Sequence, residues 1–283
     1  MKKKMEAKTN KINREKIGKD CIRIAKLAGD LLIRHQRKIS KLKITYKEAQ
    51  GVTSNADHAS EQLIIKELKK VLPSSHFLAE EEWHSKKLKD YGSVKNLEMC
   101  WVIDPLDGTH NFLNGSDYFS VCISLVDRGT PILGLVYRPS SGEVFYSFKE
   151  SKSFYINSKG KKSVVKLERI KDLKESLLVT GFATEKGEIF DKEFELFKKM
   201  MSYCRGVRRF GSAALDICYV ALGFWDGFWE RGLAPWDIAA AGFIAKNAGL
   251  IVTDYYGQDF DPYATSFVVG VKSIHDQMIQ HLK

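Results

Sequence analysis

Cysteine is sparse and shows no pairing pattern. Cys21, Cys100, Cys122, Cys204 and Cys218 are odd in number, and none belongs to a C-x-x-C pair. This excludes a disulfide framework or a cysteine zinc site and predicts a reduced, cytoplasmic setting, with Cys100 and Cys122 as buried thiols. No apolar run approaches the roughly 20 residues that span a bilayer. After the basic N-terminus, Arg23, Lys26, Asp30 and Arg34 interrupt the only apolar stretch, so neither a signal peptide nor a membrane contact is expected. There is no internal repeat. The 283 residues suffice for a large core, as one big domain or two lobes.

The formal charge of +10 invites a nucleic-acid reading, but its distribution argues against one. Residues 1–20 hold eight basic and three acidic side chains, half of the net charge. Residues 1–12 read as a disordered basic tail. The remaining excess suits an anionic, phosphate-bearing small molecule.

Helical spacing of Ile17, Cys21, Ile24, Ala28, Leu31 and His35 predicts an amphipathic helix over about 13–37. A second helix starts at Asn55 or Asp57 and ends before Pro73. Strands are predicted at about 76–79 and 100–104, with a mobile charged loop from Trp83 to Glu98. Phe119–Val126, Ile132–Tyr137 and Val144–Phe148 alternate as an antiparallel meander. Beyond about residue 165, strands at 177–180, 226–230, 250–253 and 266–269 alternate with helices at 190–204, 213–222, 235–247 and the C-terminus. The pattern is an α+β N-terminal lobe (13–165) followed by an α/β C-terminal lobe (166–283). The cluster Tyr219, Phe224, Trp225, Phe228 and Trp229 reads as core.

Chemistry concentrates in Trp101-Val102-Ile103-Asp104-Pro105-Leu106-Asp107-Gly108-Thr109-His110-Asn111-Phe112. An apolar run stopped by Asp-Pro reads as a buried strand ending abruptly, with two carboxylates at its exit. Carboxylates are hard ligands for Mg²⁺, which completes its shell with water and substrate phosphate. Gly108 lets the backbone approach a ligand and Thr109 brings a hydroxyl. The plainer alternative is turn chemistry, in which the aspartates cap their own turns. Two further segments bear on the choice. Phe77-Leu78-Ala79-Glu80-Glu81-Glu82 again delivers acids at the end of an apolar run. Glu230-Arg231-Gly232-Leu233-Ala234-Pro235-Trp236-Asp237 places Asp237 at a helix start, as a dipole-favoured acid or a remote metal ligand.

Together these segments resemble the inositol monophosphatase family of Mg²⁺-dependent, lithium-sensitive phosphatases. The signature W-[IV]-[IV]-D-P-[IL]-D-G-T-x-N-F is matched without a gap, and W-D-[VI]-A-A-[AG] is matched by Trp236–Ala241. The acid pair is matched by Glu80 and Glu81, with Ala79 for the usual Gly. Thr53-Ser54-Asn55-Ala56-Asp57 is similar to V-T-x-A-D, with two substitutions, and Gly211-Ser212-Ala213-Ala214 to G-[ST]-A-A.

The resemblance implies a five-layer α-β-α-β-α sandwich of the sugar phosphatase type, with the site between the lobes and commonly a homodimer. It implies two or three Mg²⁺, one held by Glu80, Asp104 and the Leu106 carbonyl and a second by Asp104, Asp107 and Asp237. A weaker ion would sit near Glu80 and Glu81. Thr109 and Asp57 would orient a nucleophilic water, with Glu81 counted among the catalytic acids, although locally Asp57 reads as a helix cap. Backbone N–H groups of Gly108 and Thr109 would hold phosphate. Ser212, Ala213 and Glu230 would line the substrate pocket, Glu230 having a strand-end surface acid as its alternative. His110 is assigned to packing or solvent and Lys47 to the surface. The D-G-T-x-N-F form points to a small polyol or sugar phosphate such as inositol monophosphate. Relatives acting on fructose 1,6-bisphosphate, histidinol phosphate or 3′-phosphoadenosine nucleotides are alternatives, as is a regulatory member that binds RNA or protein.

Overall fold

The structure, a computed structural model, describes residues 14–46, 51–87, 90–165, 172–182 and 187–282. The basic tail at 1–12 and Lys47 lie outside the described residues. The chain opens with α1 (Arg14–Gln36), a 3₁₀ turn (Ile39–Lys41) and the strands β1 (Ile44–Tyr46) and β2 (Val52–Ser54). There follow α2 (Asn55–Val71), β3 (His76–Ala79), α3 (Glu80–Ser85), α4 (Gly92–Lys95), β4 (Cys100–Asp107) and α5 (Thr109–Leu113). The meander is β5 (Ser120–Asp127), β6 (Thr130–Arg138) and β7 (Glu143–Phe148), extended by β8 (Phe154–Ile156) and β9 (Lys162–Val164). Then come β10 (Leu177–Thr180), α6 (Glu188–Tyr203), β11 (Gly206–Arg208), α7 (Ala213–Ala221) and β12 (Gly227–Arg231). The chain closes with α8 (Pro235–Asn247), β13 (Ile251–Thr253), β14 (Ser266–Gly270) and α9 (Lys272–Leu282).

Two large sheets carry the fold. The seven-stranded sheet runs β3-β4-β5-β6-β7-β8-β9, and the five-stranded sheet β11-β10-β12-β14-β13. Alternation along the strands sorts side chains onto opposite faces. On one face of the larger sheet, Trp101, Ile103, Val121 and Ile123 pack against Ile24, Ala28 and Leu32 of α1 and Ile64 and Leu68 of α2. On the other face, Cys122, Val136 and Phe145 meet α7 and α8, which also receive Phe228, Phe267 and Val269 from the smaller sheet. The smaller sheet's outer face offers Leu178, Trp229 and Val268 to Met200 of α6 and Ile274 and Met278 of α9. The order helix, sheet, helix, sheet, helix is the expected five-layer sandwich. As the middle layer, α8 is buried without a break from Ile238 to Ala245.

Three expectations need correction. The stretch Trp83–Glu98 is not simply a charged loop. It contains α3 and α4, and its Trp83 is buried, stacks on Tyr91 at 4.6 Å and packs near Trp236. These aromatics bury enough apolar surface to outweigh the local charge. Strand β4 does not stop at Asp104-Pro105 but runs on to Asp107, with the register to β5 shifting between the two aspartates. An irregularity of this kind accommodates a proline that cannot donate to the ladder. Phe224 is exposed, unlike its neighbours Phe228 and Trp229. All five cysteines are free, and among the described residues no helix is long and apolar enough to cross a membrane.

Candidate active site

Parallel pairing sets the first part of the site. Ala79 of β3 pairs with Ile103 of β4, so the next residues, Glu80 where β3 gives way to α3 and Asp104 still within β4, lie side by side. The Trp236 ring packs with Leu78, Trp83 and Val102. It thereby seats the first turn of α8, and with it Asp237, at the same strand ends. Acids from β4, α3 and α8 converge from positions up to 157 residues apart in the chain.

Their electrostatics follow from burial. Asp104 is 2% exposed. Desolvation pushes its carboxyl well above the ordinary range, and the charges of Glu80, Asp107 and Asp237 push it further. Burial also raises Asp107, against donors from Ser212 and Ser120. Among the described residues no group of three or more acids, histidines or cysteines stands in ligating arrangement. The carboxylates turn instead onto protein donors. Asp104 Oδ1 accepts the Leu106 N–H at 2.9 Å, and Asp237 Oδ2 accepts the Ala234 N–H at 2.7 Å. Asp107 Oδ2 accepts the Ser120 hydroxyl at 2.9 Å, the Ala214 N–H at 3.2 Å and the Ser212 hydroxyl. Ser212 and Ala213 therefore stand at the start of α7, with Asp107 capping that helix in place of Ser212.

A second cluster joins α2 to α5. Ser54 caps α2, accepting the Ala56 N–H at 3.1 Å. Its own N–H and hydroxyl donate to Asp57 Oδ2 at 2.9 and 2.7 Å. The local reading of Asp57 as the helix cap is therefore corrected: Ser54 is the cap, and Asp57 stands at the third position of the helix, where it receives the cap's N–H. Its other oxygen accepts the Thr109 hydroxyl at 3.0 Å, and that hydroxyl also lies 3.0 Å from the Leu106 carbonyl. Burial raises the Asp57 carboxyl, opposed by Ser54 and assisted by Glu81. Removing the cap in Ser54→Ala is expected to cost about 1 kcal/mol of stability. A urea midpoint lowered at unchanged slope would register it.

Gly108 has a structural reason beyond access for a ligand. Its φ is +91°, and a Cβ there would lie 3.1 Å from the Tyr118 carbonyl oxygen and 3.2 Å from that of Gly211. Asn111 of the same motif donates to the carbonyls of Tyr118 and Phe210 at 2.8 and 2.7 Å. The D-G-T-x-N segment is therefore stitched to the loop that leads into α7.

A cleft of about 340 Å³ opens beside these groups, lined by Asp107, His110, Ser212, Ala213, Glu230 and Asp237 among others. His110 is exposed in it. Glu230, at the end of β12, faces this cleft and not open solvent. Burial lifts its carboxyl well above the ordinary range, with Asp237 and Asp216 adding to the effect. Gly181 leaves it room, since a Cβ there would sit 2.3 Å from both carboxylate oxygens.

Several residues escape the sequence reading. Glu61, one turn beyond Asp57, accepts the N–H groups of Glu81 and Glu82 at 2.7 and 2.9 Å and so caps α3. Burial lifts its carboxyl to about 7. Glu81 is buried, with His58 Nε2 3.8 Å away. Ser60 ties α2 to the Pro105 carbonyl at 2.9 Å. Asp216, also in the cleft wall, accepts the Tyr118 hydroxyl at 2.7 Å. Glu61, Ser60 and Asp216 lie in no motif; each is defined by a partner distant in sequence.

Comparison with known proteins agrees with this architecture. A Nus factor SuhB from Vibrio cholerae is 33% identical over 268 residues, spanning 93% of this chain and 94% of its own length. An inositol-1-monophosphatase from Synechocystis sp. is 34% identical over 234 residues, 83% of this chain and 77% of the relative. The crystal structure of the extragenic suppressor protein suhB from Bartonella henselae superimposes with a TM-score of 0.83 at 30% identity, covering 94% of this chain and 98% of that one. The model of the inositol monophosphatase family matches residues 14–283, the whole of the described structure, and the chain belongs to that family.

Proposed function

We propose that this protein is a Mg²⁺-dependent phosphomonoesterase that hydrolyses an inositol monophosphate or a similar small polyol or sugar phosphate. One observation carries the reading. Asp104 is buried against Glu80, Asp107 and Asp237, and the largest charges acting on it are all acidic. Buried like charge is costly unless cations neutralise it, and a phosphate dianion would be repelled from the same place. The donor set fits Mg²⁺, being hard oxygens throughout. Glu80, Asp104 and the Leu106 carbonyl would hold one ion and Asp104, Asp107 and Asp237 another, with Glu81 beside a weaker third. Bound there, the ions would acidify an attacking water and neutralise charge on the ester.

The chain's own groups supply the remainder. The Thr109 hydroxyl carries one proton and lies between two acceptors, Asp57 Oδ1 and the Leu106 carbonyl. It can accept from a water while donating to Asp57, which orients a lone pair of that water toward phosphorus. Backbone N–H groups of Gly108 and Thr109 would hold phosphate oxygens. Asp107, tied to α7, would bring Ser212 and Ala213 against the substrate. Glu230, its carboxyl raised by burial, is suited to hydrogen-bond substrate hydroxyls. Since Asp237 comes from beyond residue 166, we read the two lobes as one catalytic unit, and we carry over the family's homodimer as its assembly.

The test is phosphate release with Mg²⁺ from myo-inositol 1-phosphate, fructose 1,6-bisphosphate, histidinol phosphate and 3′-phosphoadenosine 5′-phosphate. The first should be the best substrate, and both EDTA and Li⁺ should inhibit. A folded protein that releases phosphate from none of them would end the reading. A second reading, a regulatory member engaging RNA or protein, is favoured by the name of the Vibrio cholerae relative, a Nus factor. Asp104→Asn separates the two, because it should remove hydrolysis and leave partner binding intact.

A further inference from the structure

A cavity of about 400 Å³ lies outside the catalytic cleft and shares no lining residue with it. Its walls are Arg34 and His35 from the last turn of α1, Lys38 and Lys41 at the 3₁₀ turn, and Asn55 at the start of α2, over an apolar base. The surrounding chain is basic without relief. Residues 31–46 contain Arg34, Arg37, Lys38, Lys41 and Lys43 and no acid. Some surface cations elsewhere are paired, as in Lys19 with Glu15, Arg23 with Glu67, Arg138 with Asp117 and Arg231 with Glu193. Among the described residues, none of the five cations at 34–43 has an acidic partner. The dipole at the end of α1 accounts for Arg34 and His35. It does not account for Lys38 and Lys41, which lie beyond the helix.

The polarity of the lining is one-sided. Asn55 Oδ1 already accepts the Lys43 N–H at 3.0 Å, which leaves its amide nitrogen as the group to offer. Guanidinium, two ammonium groups, the amide and an imidazole all present donors, and among the described residues no carboxylate lines the cavity. The frame is ordered by backbone bonds from Lys41 to Lys38 and from Leu42 to Ile39, each 2.9 Å, and from Asn55 to Lys43 at 3.2 Å. A ligand that fits is small, rich in acceptors and multiply negative. The volume is within the range of small-molecule sites.

We propose that this cavity is a second anion site for a small free polyphosphate, either inorganic or carried on a nucleotide. The test is calorimetric titration of the full-length protein with inorganic tripolyphosphate and with ATP, in EDTA. Without metal the catalytic acids repel both probes, so failure here is distinguishable from failure of the phosphatase reading. Binding is expected, weakening as salt rises. The triple variant Arg34→Gln, Lys38→Gln, Lys41→Gln should bind at least about tenfold more weakly, because three of the phosphate-facing charges are gone. The single exposed change Lys41→Gln should show part of that loss if the triple variant fails to fold. Two controls, Arg209→Gln in the cleft wall and the tail variant Lys2→Gln, Lys3→Gln, Lys4→Gln, should stay within about twofold of wild type. Equal affinity for both probes would assign the phosphate chain alone, and tighter ATP binding a nucleotide. Absence of binding, an unaffected triple variant, or loss of binding in either control would overturn the proposal. So would binding of an RNA oligomer alone, which would make the basic surface a nucleic-acid face.

Discussion

Asp104→Asn is expected to lower phosphate release by at least about 10³-fold, a loss of about 4 kcal/mol of transition-state stabilisation. In the same protein without metal it should raise the unfolding temperature. The two effects have one cause. Burial and the charges of Glu80, Asp107 and Asp237 hold the Asp104 carboxyl well above its ordinary 3.8. A carboxyl raised in the folded state contributes stability that is fully present below its unfolded value and is lost as pH rises through its folded one. Metal-free wild-type protein should therefore melt at progressively lower temperature as pH rises from about 4 toward neutrality. Glu61, at about 7, extends that decline to the upper end of the window. The substituted amide carries no charge, so in the variant the decline should be shallower. Each kcal/mol recovered is worth roughly 2–4 °C in a chain of this size. Saturating Mg²⁺ should flatten the wild-type curve and leave the variant's nearly unchanged. Calorimetric melts with EDTA and with Mg²⁺ across the pH range, beside the rate assay, measure all of this. Near-normal turnover in the variant would remove Asp104 from the centre of the site.

What is legible in the chain follows the range of the interactions concerned. The strand Leu177–Thr180 and the helix Pro235–Asn247 have the expected bounds, because punctuation and hydrophobic period sit within each segment. Of the six three-residue strands, β13 is anticipated because Gly249 punctuates the chain before it, whereas β1, β2, β8, β9 and β11 are too short to show a period. Trp83–Glu98 reads as a loop because its charges outnumber the few aromatics that hold it. The register shift after Asp104 is hidden for a related reason. Local sequence marks Asp-Pro as a stop, whereas the ladder to Ser120 carries the strand onward. Within the candidate site, Asp104 and Asp107 announce themselves locally. Asp57 and Thr109, 52 residues apart, are paired only through the family resemblance, and the structure places them in hydrogen-bond contact. Glu61 and Asp216 stay hidden because a single acid on an amphipathic helix reads as its solvated face. Only the folded chain shows that Glu61 caps α3 and that Asp216 receives the Tyr118 hydroxyl.

Thr109→Val is expected to lower kcat by about 10²–10⁴-fold, the usual range for removing a group that manages the reacting proton. Valine keeps the shape of threonine, and Thr109 lies in the short helix that follows Gly108, so α5 should persist. What goes is a single hydroxyl, the link between Asp57 Oδ1 and whatever donates to Thr109. KM should change by less than about threefold, because the backbone N–H groups proposed to hold phosphate are untouched. The hydroxyl's one proton is lost to the buried Asp57 Oδ1, its proposed acceptor, which should cost about 1–3 kcal/mol of stability. Thr109→Ser is the control that separates chemistry from packing. Serine restores the hydroxyl without the methyl and should recover most of kcat while remaining somewhat less stable than wild type. The measurement is kcat and KM with myo-inositol 1-phosphate at saturating Mg²⁺, together with urea unfolding of each variant. If Thr109→Val turns over at nearly the wild-type rate, the hydroxyl does not handle the water. If Thr109→Ser is as inactive as Thr109→Val at the same stability, the methyl matters and the proton does not. Either result would leave the Asp57–Thr109 contact as a structural clasp between α2 and α5, and the base for this reaction would have to be sought among the buried acids nearby, with Glu81 the first to replace by glutamine.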